Sequence, residues 1–423
     1  MDLRVTERSG VGEPQKYVLM KGKTTMSNPW WPSASADSVF LSPAAVIGGA
    51  GAVRNLSEIL STQLAIKTGS ILLAVDDAVA AAGLITPVED ALREAGYEVH
   101  TRGGFGAEPS AEIVDAVAAE ARAAGISAVV GIGGGSVLDS SKIVALLLRN
   151  EGGSGDWTGV VAPENGVAPL VLVPTTCGTG SEATRIAMVT VEGSKRASSC
   201  ALYVPRVAVI DPELVSSLPK SVIAATGMDA LAHAIEALMS TSASVLSSHH
   251  SLRAIELLVG NLEKAYNGDK DALANVLWAS HIAGQSLNAG VVLGHSLAYC
   301  LAHEQPMPHG VSCAIALPYC IAYNQNLEPG LAKLIASALT GGQSEDLRVA
   351  ATEVSELSGR MGLPRTLAEA RINPDSVPEM ARLCATDYPR PTNPEPFDEQ
   401  LLADLFRSME SGDLDLAFAA TAR

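Results

Sequence analysis

The first half of this 423-residue chain carries short apolar runs without polar alternation, each separated from the next by an Ala-rich amphipathic stretch. A strand that is apolar on both faces has to be buried on both faces, and a sheet covered by helices on each side provides that. The runs are Ile71-Leu-Leu-Ala-Val75, Tyr97–Thr101, Ala128-Val-Val-Gly-Ile132 and Pro169-Leu-Val-Leu-Val173, with helical patterns over Pro87–Ala95, Ser110–Ala124 and Val137–Arg149. Their alternation predicts a parallel, Rossmann-like α/β sheet. After Pro219 the period changes to that of helices, over Ala224–Met239, Ser248–Tyr266, Lys270–Ala289, Leu331–Leu339, Glu345–Met361 and Asp398–Ser408. No strand is expected there. The expected organisation is an N-terminal tail over 1–26, an α/β domain over 27–218 and an all-helical domain over 219–423.

Composition removes several function classes. A formal charge of −17 argues against nucleic acid and anionic membrane surfaces as partners. It leaves room for a small anionic ligand, because local backbone dipoles can outweigh the global field. No run approaches the roughly 18 uncharged apolar residues that span a bilayer. Met1–Ser27 lacks the apolar core of a secretion signal, and Met26 offers a second start. The six cysteines form no CxxC pair, so free thiols in a reducing cytoplasm are expected.

Two segments suit a phosphate-bearing ligand. Gly131-Ile-Gly-Gly-Gly-Ser136 follows a buried strand directly and opens a helix that runs through Asp139 and Lys142. Glycines at such a turn let backbone approach a phosphate, and the helix N-terminus offers it unpaired N–H groups. The sequence is neither GxGxxG nor a Walker A loop, and a purely structural turn is the competing reading. One crossover later, Pro174-Thr-Thr-Cys-Gly-Thr-Gly-Ser-Glu-Ala-Thr184 places Thr175, Thr176, Thr179 and Ser181 beyond the end of a strand, where ligands of open α/β sheets bind. Alone, it reads equally as a loop capping its own backbone. Asp76-Asp77 ends an earlier strand; Asp76 either accepts from an adenosine ribose, favouring NAD over NADP, or caps a helix.

The second half holds four candidate metal ligands. Asp229 and His233 form an (i, i+4) pair in Gly227-Met-Asp-Ala-Leu-Ala-His-Ala-Ile-Glu236, so both project from one helix face. His295 and His309 follow, fourteen residues apart, in Gly294–Gly310. One carboxylate and three imidazoles suit a divalent transition metal, zinc(II) among them, that leaves room for a substrate.

With these pieces in order the chain resembles the iron-containing (group III) alcohol dehydrogenase family. The matching motifs are Gly133-Gly-Gly-Ser-Val-Leu-Asp-Ser-Ser-Lys142, Pro174–Glu182, Asp211-Pro-Glu-Leu214, Gly227–Glu236 and His295–Gly310, in family order over about residues 40–410. The resemblance implies an active site between an α/β domain and a helical domain, the architecture of dehydroquinate synthase as well. It places the metal on Asp229, His233, His295 and His309, and the dinucleotide pyrophosphate on Gly133, Gly134, Gly135 and Ser136, with Asp139 and the Thr175–Ser181 loop nearby. Lys195 matches a lysine near the nicotinamide ribose, and Asp76 the adenosine-ribose carboxylate. Many members carry a further His four residues after the third ligand, where this chain has Tyr299. The segment around Gly180–Thr184 looks like that of phosphonoacetaldehyde reductases.

The expected activity is interconversion of a small aldehyde and its primary alcohol with NAD(H) or NADP(H), reductive in direction, on a homodimer or larger assembly. The alternatives are glycerol dehydrogenase-like polyol oxidation, a dehydroquinate synthase-like lyase (whose first ligand is normally Glu, not the Asp at 229), and a non-catalytic sensor. Tyr299 borders the metal as proton donor or pocket wall. His303 is a proton relay or a structural histidine, and Arg185 binds an anionic substrate group or a surface partner. His249-His250 opens a solvated helix, His281 packs within a helix bundle, Cys177 fits beside the cofactor, and Tyr388–Pro396 forms a surface loop.

Overall fold

The structure, a computed structural model, describes residues 39–422. The expected tail over 1–26 and the start at Met26 lie outside the described residues. The chain first builds a six-stranded parallel sheet in the order β1-β9-β6-β4-β2-β3. Its strands are β1 (Ala45–Gly48), β2 (Gly69–Val75), β3 (Tyr97–Arg102), β4 (Ala128–Gly133), β6 (Leu170–Pro174) and β9 (Val207–Ile210). Helices α1 (Leu56–Gln63), α2 (Asp77–Ala81), α3 (Thr86–Glu94), α4 (Ala111–Ala123) and α5 (Gly135–Leu147) connect and cover it.

The apolar runs are buried on both faces, as their lack of alternation requires. Leu72, Ala74, Val129 and Leu172 point into one hydrophobic cluster, whereas Ile71, Leu73, Val130 and Val173 point into the other. Successive side chains of one strand thus feed opposite layers. Five strands went unread: the short β1 and β9 at one end of this sheet, and β5 (Gly159–Val160), β7 (Ile186–Val191) and β8 (Ser194–Ser199), a small sheet ordered β5-β8-β7. The β7–β8 hairpin turns at Glu192-Gly193, both with positive φ, instead of the Asn-Gly or Asp-Gly that announces such turns. β8 is polar and largely exposed, so it carried no hydrophobic period.

From α6 (Lys220–Met239) onward the described residues form helices: α7 (Val245–Tyr266), α8 (Lys270–Leu287), α9 (Leu293–Glu304), α10 (His309–Tyr323), α11 (Pro329–Leu339), α12 (Leu347–Arg360), α13 (Val377–Thr386), α14 (Glu399–Ser411) and α15 (Leu414–Thr421). They share one large hydrophobic core. The apolar helix α6 lies at its centre, buried from Met228 to Met239. Helices α9 and α10, which carry His295 and His309, were not read as helices; both are apolar nearly all round, and α10 contains Pro318.

The two regions meet along a seam where backbone touches backbone. Gly180, with φ +55°, crosses Gly284 of α8 so closely that a Cβ on Gly284 would stand 2.4 Å from the Gly180 carbonyl oxygen. Gly260, exposed within α7, faces open space. Replacing Gly284 with Ala is therefore expected to destabilise the protein by about 1–3 kcal/mol through overpacking. Gly260→Ala is expected to stabilise it by about 0.5–1 kcal/mol through helix propensity. Denaturant midpoints of the two variants check the pair, and equal effects would remove the seam from the argument.

Candidate metal and dinucleotide site

A cleft of about 480 Å³ runs along the carboxyl ends of β2, β4 and β6 to the faces of α6, α9 and α10. Asp76 follows β2, Gly134, Gly135 and Ser136 follow β4, and Thr176, Thr179 and Ser181 follow β6; all seven line it, together with Asp139 and Lys195. At its far end stand Asp229, His233, His295, Tyr299 and His309. Gly133 and Thr175 sit just beneath, joined by an N–H···O bond from Thr175 to the Gly133 carbonyl.

Asp229 Oδ1 lies 3.7 Å from His233 Nε2, 3.9 Å from His295 Nε2 and 3.7 Å from His309 Nε2. Such separations suit atoms that each stand about 2.0–2.2 Å from a common ion. The protein leaves Asp229 Oδ1 and His295 Nε2 buried and without a hydrogen-bond partner, which costs stability unless something fills the gap. The residues present fit a divalent cation.

Partners behind the ligands fix their tautomers. His295 Nδ1 lies 2.6 Å from Glu236 Oε1, and His233 Nδ1 lies 3.3 Å from the Gly178 carbonyl. Each imidazole can then donate from Nδ1 and turn the lone pair of Nε2 toward Asp229. Burial works against the charge on Asp229, but His233, His309 and His295 outweigh it and hold the carboxyl below its usual range. Burial pushes His233 and His309 down, which favours the neutral, ligating form; it also opposes charge on His295, where Glu236 prevails and raises it. Glu236 is the functional residue that sequence reasoning passed over. Its signal was spacing: it lies seven residues after Asp229 on α6, two turns along the same face.

The opposite end of the cleft is built for close backbone approach. A Cβ on Gly135 would lie 2.7 Å from the Thr179 methyl, so the glycine lets the Thr-rich loop settle over the N-terminus of α5. Ser181 donates to Asp139 Oδ1 at 2.6 Å, and the buried Lys142 ammonium donates to Ser181 Oγ, Thr184 Oγ1 and the Ile186 carbonyl. Asp76 does what its capping reading required, accepting from the Ala78 N–H, while still lining the cleft.

Two expected site residues do not reach the cleft. His303 is exposed in the last turn of α9, two turns beyond His295, and lies outside the cleft lining. Arg185 is exposed and lies outside the lining; its backbone N–H is tied to Asn288 Oδ1. Lys195, which projects from β8 into the lining, is the cation that does face it, with Glu108 at 3.3 Å. Tyr299 borders the centre, its ring stacked on His309 with centroids 5.5 Å apart, and burial pushes its phenol up to about 12.

Other expectations shift as well. The Tyr388–Pro396 segment is the expected surface loop but also backs the cleft, with Tyr388 and Arg390 against the Tyr299 ring and buried Asn393 accepting from the Leu293 N–H. Cys177 is wholly buried in the helical core rather than lining the cleft, and His281 meets the buried Glu182 carboxylate at 3.0 Å instead of merely packing. His249 is exposed, as expected, but His250 is only partly so.

Glu236→Gln, which keeps size and an acceptor oxygen, is expected to lower divalent-metal affinity about 10–100-fold. Chelator competition on the full chain measures it, and unchanged affinity would deny Glu236 its orienting role.

Comparison with known proteins identifies the family and the fold. Profiles described as iron-containing alcohol dehydrogenase and as the C-terminal part of that family match residues 43–212 and 223–409. Long-chain-alcohol dehydrogenase 1 of Geobacillus thermodenitrificans is 36% identical over 286 residues, covering 65% of this chain and 72% of its own. A crystal structure of 1,3-propanediol oxidoreductase superposes with a TM-score of 0.82 at 30% identity, over 88% of this chain and 100% of its own. Sulfoacetaldehyde reductase of Bifidobacterium kashiwanohense, solved with NAD+, gives 0.80 at 25% identity, over 89% and 100%. The chain belongs to the iron-containing alcohol dehydrogenase family and is an oxidoreductase.

Proposed function

We propose that this chain is a metal-dependent, nicotinamide-linked reductase of a small aldehyde to its primary alcohol, reversible in principle. One observation carries the reading: a single cleft joins the glycine turn at Gly134–Ser136 to the Asp229–His309 donor cluster. Asp229, His233, His295 and His309 hold the ion, iron(II) by family and equally zinc(II) by donor chemistry. When bound, that ion supplies Lewis-acid polarisation of the aldehyde oxygen. The N-terminus of α5 holds the pyrophosphate through Gly133, Gly134, Gly135 and Ser136, with Asp139, Thr175, Thr176, Thr179 and Ser181 around it. Lys195 lies by the nicotinamide ribose and Asp76 by the adenosine ribose. These groups orient the nicotinamide for hydride transfer at the metal end, so the barrier falls by positioning and by charge stabilisation. Tyr299 lines the metal end of the cleft beside His309, which makes it the wall of the substrate pocket and the phenol nearest the ion for proton delivery.

The finer reading is an anionic aldehyde carrying a sulfonate or a phosphonate. It is supported by the likeness to sulfoacetaldehyde reductase and by Lys195 in the cleft lining, not by Arg185. The assembly is proposed as a homodimer or larger in the cytoplasm.

The deciding experiment is an aldehyde panel, with and without sulfonate, phosphonate or carboxylate groups, run with NADH and NADPH on metal-free protein reloaded with Fe(II), Zn(II) or Mn(II). Reduction of at least one aldehyde with net NADH consumption is expected, and turnover without it would favour a lyase. Asp229→Ala should lower kcat/KM by roughly 10³-fold or more, while NADH fluorescence still reports binding. Asp76→Ser keeps a helix cap but removes the carboxylate, and should shift preference toward NADPH by about tenfold. An unchanged NADH/NADPH ratio would remove Asp76 from the ribose site.

A further inference from the structure

Cys313 stands one helical turn after His309 on α10, and the N-terminal lean of helical side chains brings its sulfur to 3.6 Å from His309 Nε2. Donor atoms of Asp229, His295, His309 and Cys313 all lie within 4.8 Å of one another. The thiol is 1% exposed. Two of the groups it joins, Asp229 Oδ1 and His295 Nε2, are buried at 3% exposure each and have no hydrogen-bond partner. On the other side, His233 stacks on His295 with ring centroids 4.8 Å apart.

We infer that the centre contains two overlapping four-donor sets that share Asp229, His295 and His309, completed either by the His233 nitrogen or by the Cys313 sulfur. The nitrogen set accepts iron(II) and zinc(II) alike, whereas the sulfur set adds a thiolate that iron(II) gains little from and thiophilic cations such as zinc(II), cobalt(II) and cadmium(II) prefer. In the sulfur set the Cys313 S–H bond breaks, a metal–sulfur bond forms, and the proton leaves to solvent through the cleft; no oxidation state changes. The sequence gives Cys313 only the character of a free thiol, because its relation to the ligands appears only once α10 is a helix. The inference rests on the metal reading proposed above.

The test is a cobalt(II) titration of the full chain after chelation, read in the near ultraviolet, where thiolate-to-cobalt charge transfer absorbs. The wild type should bind cobalt with this band. Cys313→Ser should bind cobalt without it, and Cys200→Ser, altered within the α/β hydrophobic cluster, should keep it. In competition, Cys313→Ser should lose roughly tenfold or more of the zinc-over-iron preference. X-ray absorption at the zinc edge of the zinc-loaded wild type gives the same answer without a variant, through one sulfur neighbour. Bound cobalt and zinc with no sulfur signature would overturn the sulfur set and leave the metal centre standing. Failure to bind either ion would overturn the metal centre itself.

Discussion

A carboxylate oxygen surrounded by imidazole nitrogens, with no proton donor of its own, is the constraint to which the helical region answers. Burying Asp229 is costly unless its charge is met, and the three imidazoles that meet it come from three helices. Their positions have to be held from outside. Glu236, two turns along α6, accepts from the Val292 and His295 N–H groups, so one helix caps the start of another. Gly294 is required there: a Cβ would stand 2.5 Å from Glu236 Oε1. The Gly294-His295 pair thus has a steric cause as well as a chemical one.

The dinucleotide end depends on a second buried charge. Burial pushes the Lys142 ammonium down to about 8, against the opposing pull of Asp139 and Glu182. Three oxygen acceptors around it compensate, two of them hydroxyls of the Thr-rich loop. That loop is consequently pinned to α5 on one side and, through the Gly180–Gly284 crossing and the Glu182–His281 contact, to α8 on the other. The hydroxyls of Thr176, Thr179 and Ser181 are held between two rigid elements rather than on a free loop. Preorganisation of this kind is what positions a cofactor at low entropic cost.

Much of this was legible in residues whose chemistry and period agree. The doubly apolar strands declared a parallel sheet, and the Asp229–His233 spacing declared one helix face. What stayed hidden lacked a periodic signal. β8 is polar, its turn uses Glu-Gly, and α9 and α10 are buried all round, so no stripe marks their inward faces. Arg185 and Lys195 show the limit of reasoning from composition: two cations ten residues apart look equivalent in a basic segment. Their places in the fold separate them: Lys195 lies on β8 within the cleft lining, whereas Arg185 stands just before β7, exposed and outside it.

The wall facing the substrate follows the same logic at longer range. Tyr299 has His309 stacked at 5.5 Å and the Arg390 guanidinium over its ring at 5.5 Å. Asn393 accepts from Leu293 at the start of α9 and exchanges amide hydrogen bonds with Asn324 at the end of α10. A Pro-rich segment about ninety residues after Tyr299 therefore anchors both ligand-bearing helices and backs the pocket's aromatic side. Tyr388 and Arg390 thus act on the cleft through the Tyr299 ring that lines it, and Asn393 acts through the start of α9.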